Sequence, residues 1–125
     1  MRIRDIMLKR FPTVTEFMTV EEVSRILAEN HVSGVPVIDN EEKLLGFISE
    51  RDIILTFAQE DGSKKISKDI MSKNVLTIEE DTPVEKVHKL FTEHPYRSLP
   101  VLRNGKLVGV ITRKKIIEHF MGSYY

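Results

Sequence analysis

Two short segments of the sequence carry the side chains best suited to chemistry. Ser49 and Asp52 place a hydroxyl and a carboxylate three residues apart, directly after an apolar run that begins with glycine. Thr112 and Lys115 hold the corresponding positions after a second such run. If a helix starts at each point, its unpaired backbone N–H groups suit a phosphate. Ser-x-x-Asp also caps a helix, and from the residues alone capping is the favoured interpretation.

These two segments belong to two copies of one longer repeat. The shared stretches are GFISERDII (46–54) with GVITRKKII (109–117), DIM (5–7) with DIM (69–71) and PV (36–37) with PV (100–101). Matches in the same order over most of a chain indicate an internal duplication. Asp52 in the first copy corresponds to Lys115 in the second, so the repeat reverses its charge at this position.

Turn signals and apolar runs predict three strands in each copy. The predicted strands cover residues 12–15, 34–38 and 43–49 in the first copy, and 75–78, 98–102 and 106–112 in the second. Asn104-Gly105, between two apolar runs, is a strong hairpin signal. The second and third strands of each copy are therefore expected to form a hairpin.

Two helices per copy are predicted where apolar residues recur every three or four positions. The first helix carries such a stripe in both copies: Val20, Val23, Ile26 and Leu27, then Val84, Val87, His88 and Phe91. In the second copy Thr82 is the predicted N-cap, with Pro83 in the first turn and Glu85 closing a capping box. The last helices are predicted to start at Ser49 and Thr112. Each should carry two isoleucines and a phenylalanine on one face: Ile53, Ile54 and Phe57, or Ile116, Ile117 and Phe120.

The order β-α-β-β-α, written twice, predicts an α/β fold of two tandem repeats. We place the repeats at residues 1–60 and 61–125, joined through the polar segment at residues 59–66. A repeat of this size buries too little apolar surface to be stable alone. We therefore expect the two repeats to pack sheet to sheet about a pseudo-twofold axis.

Composition argues against several classes of function. The chain has 125 residues, of which 41% are hydrophobic and 30% charged, an ordinary globular profile. Its 19 basic residues balance 19 acidic ones, so neither nucleic acid nor a membrane is expected as a partner. Without cysteine, a phosphate loop, a nucleophile motif or zinc-like histidine spacing, we expect no catalytic residue and no metal site. No long apolar run indicates a signal peptide or a membrane span, so a cytoplasmic location is expected.

The duplicated motifs resemble those of CBS domains, which occur as tandem pairs called Bateman modules. DIM before the first strand, VPV or LPV in the second, and Gly-h-h-Ser/Thr-x-x-Asp at the end (h is apolar) follow in order, and the resemblance runs from Asp5 to Phe120. It implies a regulatory module that binds adenosine-containing ligands, namely AMP, ADP, ATP or sometimes S-adenosylmethionine, in clefts between the repeats. It also implies a homodimer with no required cofactor.

The resemblance implies a first site at the end of the first hairpin, completed by the second repeat. Asp52, which only accepts hydrogen bonds when ionised, would take both ribose hydroxyls, and Ser49 would donate to a phosphate. Arg97 would pair with phosphate through its planar guanidinium. From the residues alone, Tyr96 could instead be core and Arg97 an exposed loop residue. The predicted set is Ser49, Arg51, Asp52, Val75, Leu76, Tyr96, Arg97 and Ser98.

The second implied site departs from the family pattern. Lys115 cannot accept protons from ribose hydroxyls, and with Arg113 and Lys114 it places three cations where the helix dipole disfavours them. Three interpretations stay open: the site has lost nucleotide binding, it favours phosphate-rich ligands or the phosphate tail of a ligand in the first site, or the run is a solvated helix end. The predicted set is Phe11, Pro12, Val32, Ser33, Thr112 and Lys115.

The function we predict is regulation by an adenine nucleotide, with the change read by an unidentified effector protein. Two alternatives are a ligand-free scaffold that dimerises or docks on a partner, and a binder of S-adenosylmethionine. A ligand is favoured because a scaffold has little use for a hydroxyl, a carboxylate and a cation, here Ser49, Asp52 and Arg97, converging on one cleft.

Overall fold

The computed structural model describes residues 1–122, and this part of the chain forms five α-helices and five strands. Their order confirms the predicted α/β class. The elements are α1 (Val20–Asn30), β1 (Gly34–Ile38), β2 (Leu44–Ser49), α2 (Glu50–Phe57), α3 (Ser67–Ile70), β3 (Ile78–Glu79), α4 (Val84–Glu93), β4 (Ser98–Arg103), β5 (Lys106–Thr112) and α5 (Arg113–Gly122). Within residues 1–122, no helix has the length and apolar character needed to cross a membrane.

The chain divides into two compact units, each with its own apolar core. The first-repeat unit is Pro12–Val75, and the second-repeat unit combines Met1–Phe11 with the chain from Leu76 onward. The division at residues 1–60 and 61–125 was predicted for the sequence repeats, and it stays a prediction. The compact units instead exchange the segments that precede each repeat.

In the first-repeat unit, β1 and β2 form the predicted antiparallel hairpin. Gly34 lies opposite Ser49, and Val37 lies opposite Gly46. The stripe of α1 packs on the inward residues of the hairpin and on one residue of α2. This core consists of Val14, Val20, Val23, Leu27, Val35, Val37, Ile48 and Ile53.

In the second-repeat unit, β3 pairs parallel with β4, and β4 pairs antiparallel with β5. Asn104 (φ 51°) and Gly105 (φ 80°) form the two-residue turn that their sequence predicts, because such a turn needs two residues with positive φ. The core repeats that of the other unit. It consists of Ile3, Met7, Ile78, Val84, Val87, Leu99, Val101, Ile111 and Ile116.

Backbone hydrogen bonds hold the exchanged segments in place. In the second-repeat unit, the Ile3 N–H donates to the Thr82 carbonyl (2.9 Å) and the Leu8 N–H donates to the Val110 carbonyl (2.8 Å). In the first-repeat unit, the Phe47 and Ser72 N–H groups each donate to the other residue's carbonyl, at 3.0 and 2.9 Å. Each sequence repeat therefore contributes backbone structure to the unit of the other.

Two glycines of the repeat are required by these exchanged segments. A β-carbon on Gly46 would lie 2.7 Å from the Met71 sulfur, and one on Gly109 would overlap the Met7 sulfur. The methionine of each DIM motif thus lies over the glycine that opens the Gly-h-h-Ser/Thr motif of the other repeat. Two motifs that are far apart in sequence are therefore partners in space.

The predicted N-cap at Thr82 is wrong. Helix α4 begins at Val84 with Pro83 as its N-cap and no side-chain cap. The Val84 N–H donates to the Met1 carbonyl at 3.1 Å, so the exchanged segment satisfies a group that a side chain would otherwise cap. The matching helix of the first repeat, α1, does have a capping box, in which Thr19 Oγ1 accepts from the Glu22 N–H at 3.1 Å.

The predicted first strands are too long. In place of a strand at residues 12–15, only Val14 pairs, in a parallel bridge to Val37. Pro12 has no N–H to donate, and the chain turns directly afterwards, where the Met18 N–H reaches the Thr15 carbonyl at 3.4 Å. In place of a strand at residues 75–78, the second copy has the two-residue β3.

Candidate ligand-binding site

The N-terminus of α2 is a closed capping box. Ser49 Oγ accepts from the Asp52 N–H at 3.2 Å. Asp52 Oδ2 accepts from both the Ser49 N–H (2.9 Å) and the Ser49 hydroxyl (3.0 Å). The capping role that the residues alone favoured is therefore present. Both of these hydrogen bonds to the carboxylate go to its Oδ2 oxygen.

The loop before β1 lies beside this helix start. The Glu50 N–H donates to the Ser33 carbonyl at 2.9 Å. His31 adopts the left-handed conformation (φ 53°) that ends α1, and this turns the chain toward β1. Val32 packs against the first-repeat core. Ser33, predicted for the second site, is thus beside α2 in the first-repeat unit, and its assignment to a site with Thr112 stays a prediction.

The N-terminus of α5 has the same backbone but different chemistry. Thr112 Oγ1 accepts from the Lys115 N–H at 3.1 Å, as Ser49 does from Asp52. The Lys115 ammonium lies 3.4 Å from the Glu118 carboxylate. Where α2 has the Asp52 carboxylate, α5 has the Lys115 ammonium at the matching position.

Three residues of the predicted first site border α5. Ser98 lies opposite Thr112 in the β4–β5 pair. The Arg113 N–H donates to the Arg97 carbonyl (3.1 Å), and Arg113 Nε donates to the Tyr96 carbonyl (2.7 Å). The side chains of Tyr96 and Arg97 are exposed. Tyr96 is therefore not a core residue, which removes that alternative.

The four remaining apolar residues of the two predicted sites lie where the chain leaves one unit and enters the other. Phe11 and Leu76 belong to the second-repeat unit, whereas Pro12 and Val75 belong to the first-repeat unit. All four are half-buried. Of these, Leu76 packs against the second-repeat core. Their predicted contact with an adenine ring stays a prediction.

Prediction from the two sequence repeats identified the charge reversal at Asp52 and Lys115 but missed a second one. Glu50, exposed at the start of α2, corresponds to Arg113, exposed at the start of α5. The first turn of α2 therefore holds two acidic residues and one basic residue, and that of α5 holds three basic residues. Alignment of the two repeats contains this signal, since the reversed pair lies two positions before Asp52 and Lys115.

In the part of the chain that the structure describes, neither the histidines nor the carboxylates form a recognisable metal centre. Within residues 1–122, no group of three or more His, Cys, Asp or Glu side chains is arranged to hold a metal ion. The His88 ring packs edge-on against Phe120, with ring centroids 5.0 Å apart.

Family comparison matches both copies of the repeat. A model of the CBS domain matches residues 3–58 and again residues 66–122. The chain belongs to the CBS-domain family. The resemblance inferred from the duplicated motifs is confirmed, and the chain is a tandem CBS pair.

Solved CBS-pair proteins share this fold along nearly the whole chain. CBSX2, a CBS-pair protein of Arabidopsis thaliana, was solved in complex with AMP; it is 27% identical, with a TM-score of 0.91 over 99% of this chain and 98% of that one. The CBS domain pair of protein MJ0100 was solved with 5′-methylthioadenosine and S-adenosyl-L-methionine. It is 29% identical, with a TM-score of 0.81 over 98% of both chains.

Several curated relatives are much longer enzymes. Inosine-5′-monophosphate dehydrogenase of Methanocaldococcus jannaschii is 35% identical over 115 residues, which are 91% of this chain but 22% of the enzyme. Homoserine O-acetyltransferase of Methanococcus vannielii is 32% identical over 116 residues, 91% of this chain and 24% of the enzyme. The chain spans about a quarter of the length of these relatives, and their activities belong to the whole enzymes.

Proposed function

We propose that this CBS pair is a non-catalytic regulatory module whose ligand is an adenine nucleotide of the AMP, ADP and ATP class. The observation that carries the proposal is the Ser49–Asp52 pair at the start of α2, with a carboxylate held in place by two hydrogen bonds. Two related CBS pairs bind molecules that contain adenosine. S-adenosylmethionine is the second candidate, because one of those relatives binds it.

Each residue of the proposed first site has a side chain suited to one part of the nucleotide. Asp52 would accept the ribose hydroxyls, since a carboxylate has lone pairs beyond those used by Ser49. The Ser49 hydroxyl, which donates its one proton to Asp52 Oδ2 in the structure, would turn that proton to a phosphate oxygen when the ligand binds. The exposed Arg51 and Arg97 would also contact phosphate oxygens. Val75 and Leu76 would pack on adenine, with Tyr96 and Ser98 beside them. That residues of both units surround one ligand remains part of the proposal.

The second site would have different selectivity. Its set remains Phe11, Pro12, Val32, Ser33, Thr112 and Lys115. Because Lys115 replaces the ribose acceptor, a nucleoside held through its ribose should not bind there. The three cations of α5 favour phosphate groups instead, so we propose a site that is either silent or selective for phosphate-rich ligands.

Regulation would follow from differential binding. A ligand that binds one arrangement of the repeats more tightly than another shifts the population toward it by that difference in affinity. We propose that the module is a homodimer and that an effector protein responds to the change. A ligand-free scaffold is the competing function, and it predicts self-association without nucleotide binding.

The test is calorimetric titration of AMP, ADP, ATP and S-adenosylmethionine into the wild type and into Asp52→Asn. The substitution keeps the size of the side chain but removes its charge, and we expect affinity to fall by tenfold or more, because hydrogen bonds to charged groups contribute about 1.5–3 kcal/mol. Glu22→Gln is the matched control, since Glu22 closes the same kind of capping box in α1 outside the proposed site.

The number of ligands bound per chain shows whether the second site is occupied as well as the first. One ligand per chain means that the Lys115 site is silent, and two mean that its preference has changed. If none of the four compounds binds, the adenosine proposal is wrong and the scaffold becomes the better account. If Glu22→Gln weakens binding as much as Asp52→Asn, the loss comes from helix capping and not from a ligand contact.

A further inference from the structure

The balanced net charge of the chain results from two units of opposite charge. The first-repeat unit, Pro12–Val75, has 7 basic and 12 acidic residues, a formal charge of −5. The second-repeat unit has 12 basic and 7 acidic residues, a formal charge of +5. The zero charge of the whole chain therefore does not describe the surface that either unit presents to a partner.

The two units differ in charge at the turn of their hairpins. Between β1 and β2 the chain reads DNEEK (39–43), and between β4 and β5 it reads RNGK (103–106). Asp39 and Arg103 hold the same position of the repeat. Arg103 pairs with Lys106 across the turn, and both residues are exposed. Because directly paired residues of a hairpin carry their side chains on one face, the second-repeat unit places two cations together at its turn.

Two further cations lie beside this turn, around Glu80. Arg103 binds the Glu80 carboxylate at 2.6 and 2.9 Å, and the Arg4 N–H donates to the Glu80 carbonyl at 2.9 Å. Hydrogen bonding to Arg103, together with the charges of Arg103, Arg4 and Lys9, lowers the pKa of Glu80, so all three cations lie near its carboxylate. Within residues 1–122, neither Arg4 nor Lys9 forms a salt bridge of its own. Three cations therefore share one carboxylate, and positive charge is left in excess.

This basic turn is distant from the ends of the strands that the predicted sites use. Arg103 and Lys106 lie at the turn of the β4–β5 hairpin, whereas Ser98 and Thr112 lie opposite each other at its other end. The five steps along β4 from Ser98 to Arg103 span about 17 Å, at roughly 3.3 Å per residue. The two ends of the hairpin can therefore be tested independently.

We propose that Arg4, Lys9, Arg103 and Lys106 form a docking surface for an acidic segment of a partner protein. Guanidinium groups bind carboxylates side-on, and the two lysines add compact positive charges. Because all four residues are exposed, charge complementarity would drive the contact, and binding should weaken as salt rises. The inference does not depend on the nucleotide proposal, and it adds a place where an effector protein would bind.

The residues of this basic surface favour a peptide over a nucleic acid. Single-stranded nucleic acids bind where bases stack on aromatic rings beside a basic groove. Neither residues 1–10 nor the turn at residues 103–106 contain an aromatic residue. The exposed Asp5, Glu79 and Asp81 are sequence neighbours of the cluster, and they would repel a continuous phosphate backbone. A short segment with a few carboxylates can lie between them.

The test is fluorescence anisotropy of a labelled short peptide of alternating Glu and Gly, titrated with the full chain at about 50 mM salt. Lys9→Glu combined with Lys106→Glu should weaken binding by about tenfold or more, because two attractive charges become repulsive. Lys73→Glu combined with Lys43→Glu is the matched control. These lysines are exposed at the corresponding positions of the first-repeat unit, so the net charge changes equally while affinity should stay within about threefold.

Two results of this titration would overturn the proposal. One is the absence of saturable binding up to about 1 mM chain. The other is equal loss of affinity in the control variant, which would mean that the peptide responds to net charge and not to the basic surface. Titration of AMP into the Lys9 and Lys106 variant should give the wild-type affinity, so a failure of the nucleotide proposal is seen separately.

Other occupants of the basic surface are tested in parallel. A thymidine oligonucleotide with the same charge as the peptide should bind less tightly. Tighter binding that Lys9→Glu with Lys106→Glu removes would assign the surface to nucleic acid instead. Sedimentation equilibrium without peptide should show no self-association that depends on Lys9 and Lys106. Self-association that both this variant and Glu41→Lys with Glu42→Lys abolish would mean that the acidic turn of a second copy occupies the surface, and the partner proposal would be wrong.

Discussion

At the scale of single residues, the two helix starts share a cap but differ in charge at the third helical position, Asp52 in α2 and Lys115 in α5. Ser49 and Thr112 accept the same backbone hydrogen bond, at 3.2 and 3.1 Å, so both helices begin in the same way. Asp52 then adds a charged acceptor, whereas Lys115 turns to Glu118. Both helix starts thus keep the Ser/Thr cap, while only α2 adds a carboxylate that accepts hydrogen bonds from its N-cap residue.

Glu80 gives a residue-level prediction about pH. Arg103 binds it in a bidentate pair, at 2.6 and 2.9 Å. This hydrogen bonding, helped by the charges of Arg103, Arg4 and Lys9, lowers the pKa of Glu80 below its ordinary 4.5. A carboxyl whose pKa is lowered by folding stabilises the protein above its unfolded pKa, and that contribution is lost as the pH falls through the folded value. Arg103→Met should therefore lower stability at neutral pH and flatten its decline in acid.

Urea denaturation between about pH 7 and pH 3 measures this difference. Arg25→Met is the control, because Arg25 pairs with Glu21 at 3.0 Å on an exposed helix face, where such pairs contribute little. Parallel stability curves for the wild type and Arg103→Met would mean that the pair at Glu80 contributes nothing.

At the scale of elements, the sequence correctly predicted turns and helix starts that depend on hydrogen bonds between neighbouring residues. The Asn104-Gly105 turn and the helix starts at Ser49 and Thr112 depend on neighbouring residues, and they were predicted correctly. The cap of α4 was not, because its Val84 N–H is satisfied by Met1 from the far end of the sequence. Alignment of the repeats would have helped, since Pro83 corresponds to Thr19, the N-cap of α1.

The residues of the candidate site show the same difference between local and long-range contacts. Ser49 and Asp52 could be predicted as a pair because a capping box joins them within one turn. The neighbours of the α5 start could not, because Arg113 reaches the Tyr96 and Arg97 carbonyls across a hairpin. Side chains brought together by strand pairing leave no periodic signal in the sequence.

The exchanged segments give a prediction for one glycine. Gly109→Ala should lower the free energy of unfolding by about 1–3 kcal/mol, because its methyl group would overlap the Met7 sulfur and approach the Leu8 carbonyl oxygen to 3.1 Å. Urea denaturation measures the change. Gly122→Ala is the control, since a β-carbon there meets nothing within 4 Å. Equal stabilities of the two variants would mean that the segment shifts without cost.

At the scale of the whole molecule, neither repeat is complete without a segment of the other. Met7 and Ile3, from the first repeat, lie in the second-repeat core, and Ile70 and Met71, from the second, pack on the first-repeat core. The duplication therefore produced two units that each depend on both copies. This explains why a repeat too small to fold comfortably alone persists as a pair.

The last prediction tests this exchange by hydrogen exchange measured by mass spectrometry. Ile3 is fully buried in the second-repeat core, and Ile3→Ala should cost about 2–5 kcal/mol. Faster exchange should appear in α4, β4 and β5, which are distant in sequence, and not in α1 or β1. Val14→Ala, in the first-repeat core, is the matched variant and should show the opposite pattern. If Ile3→Ala accelerates exchange in α1 and β1 as strongly as in α4, the two cores unfold as one, and the exchanged segments do not define separate units of stability.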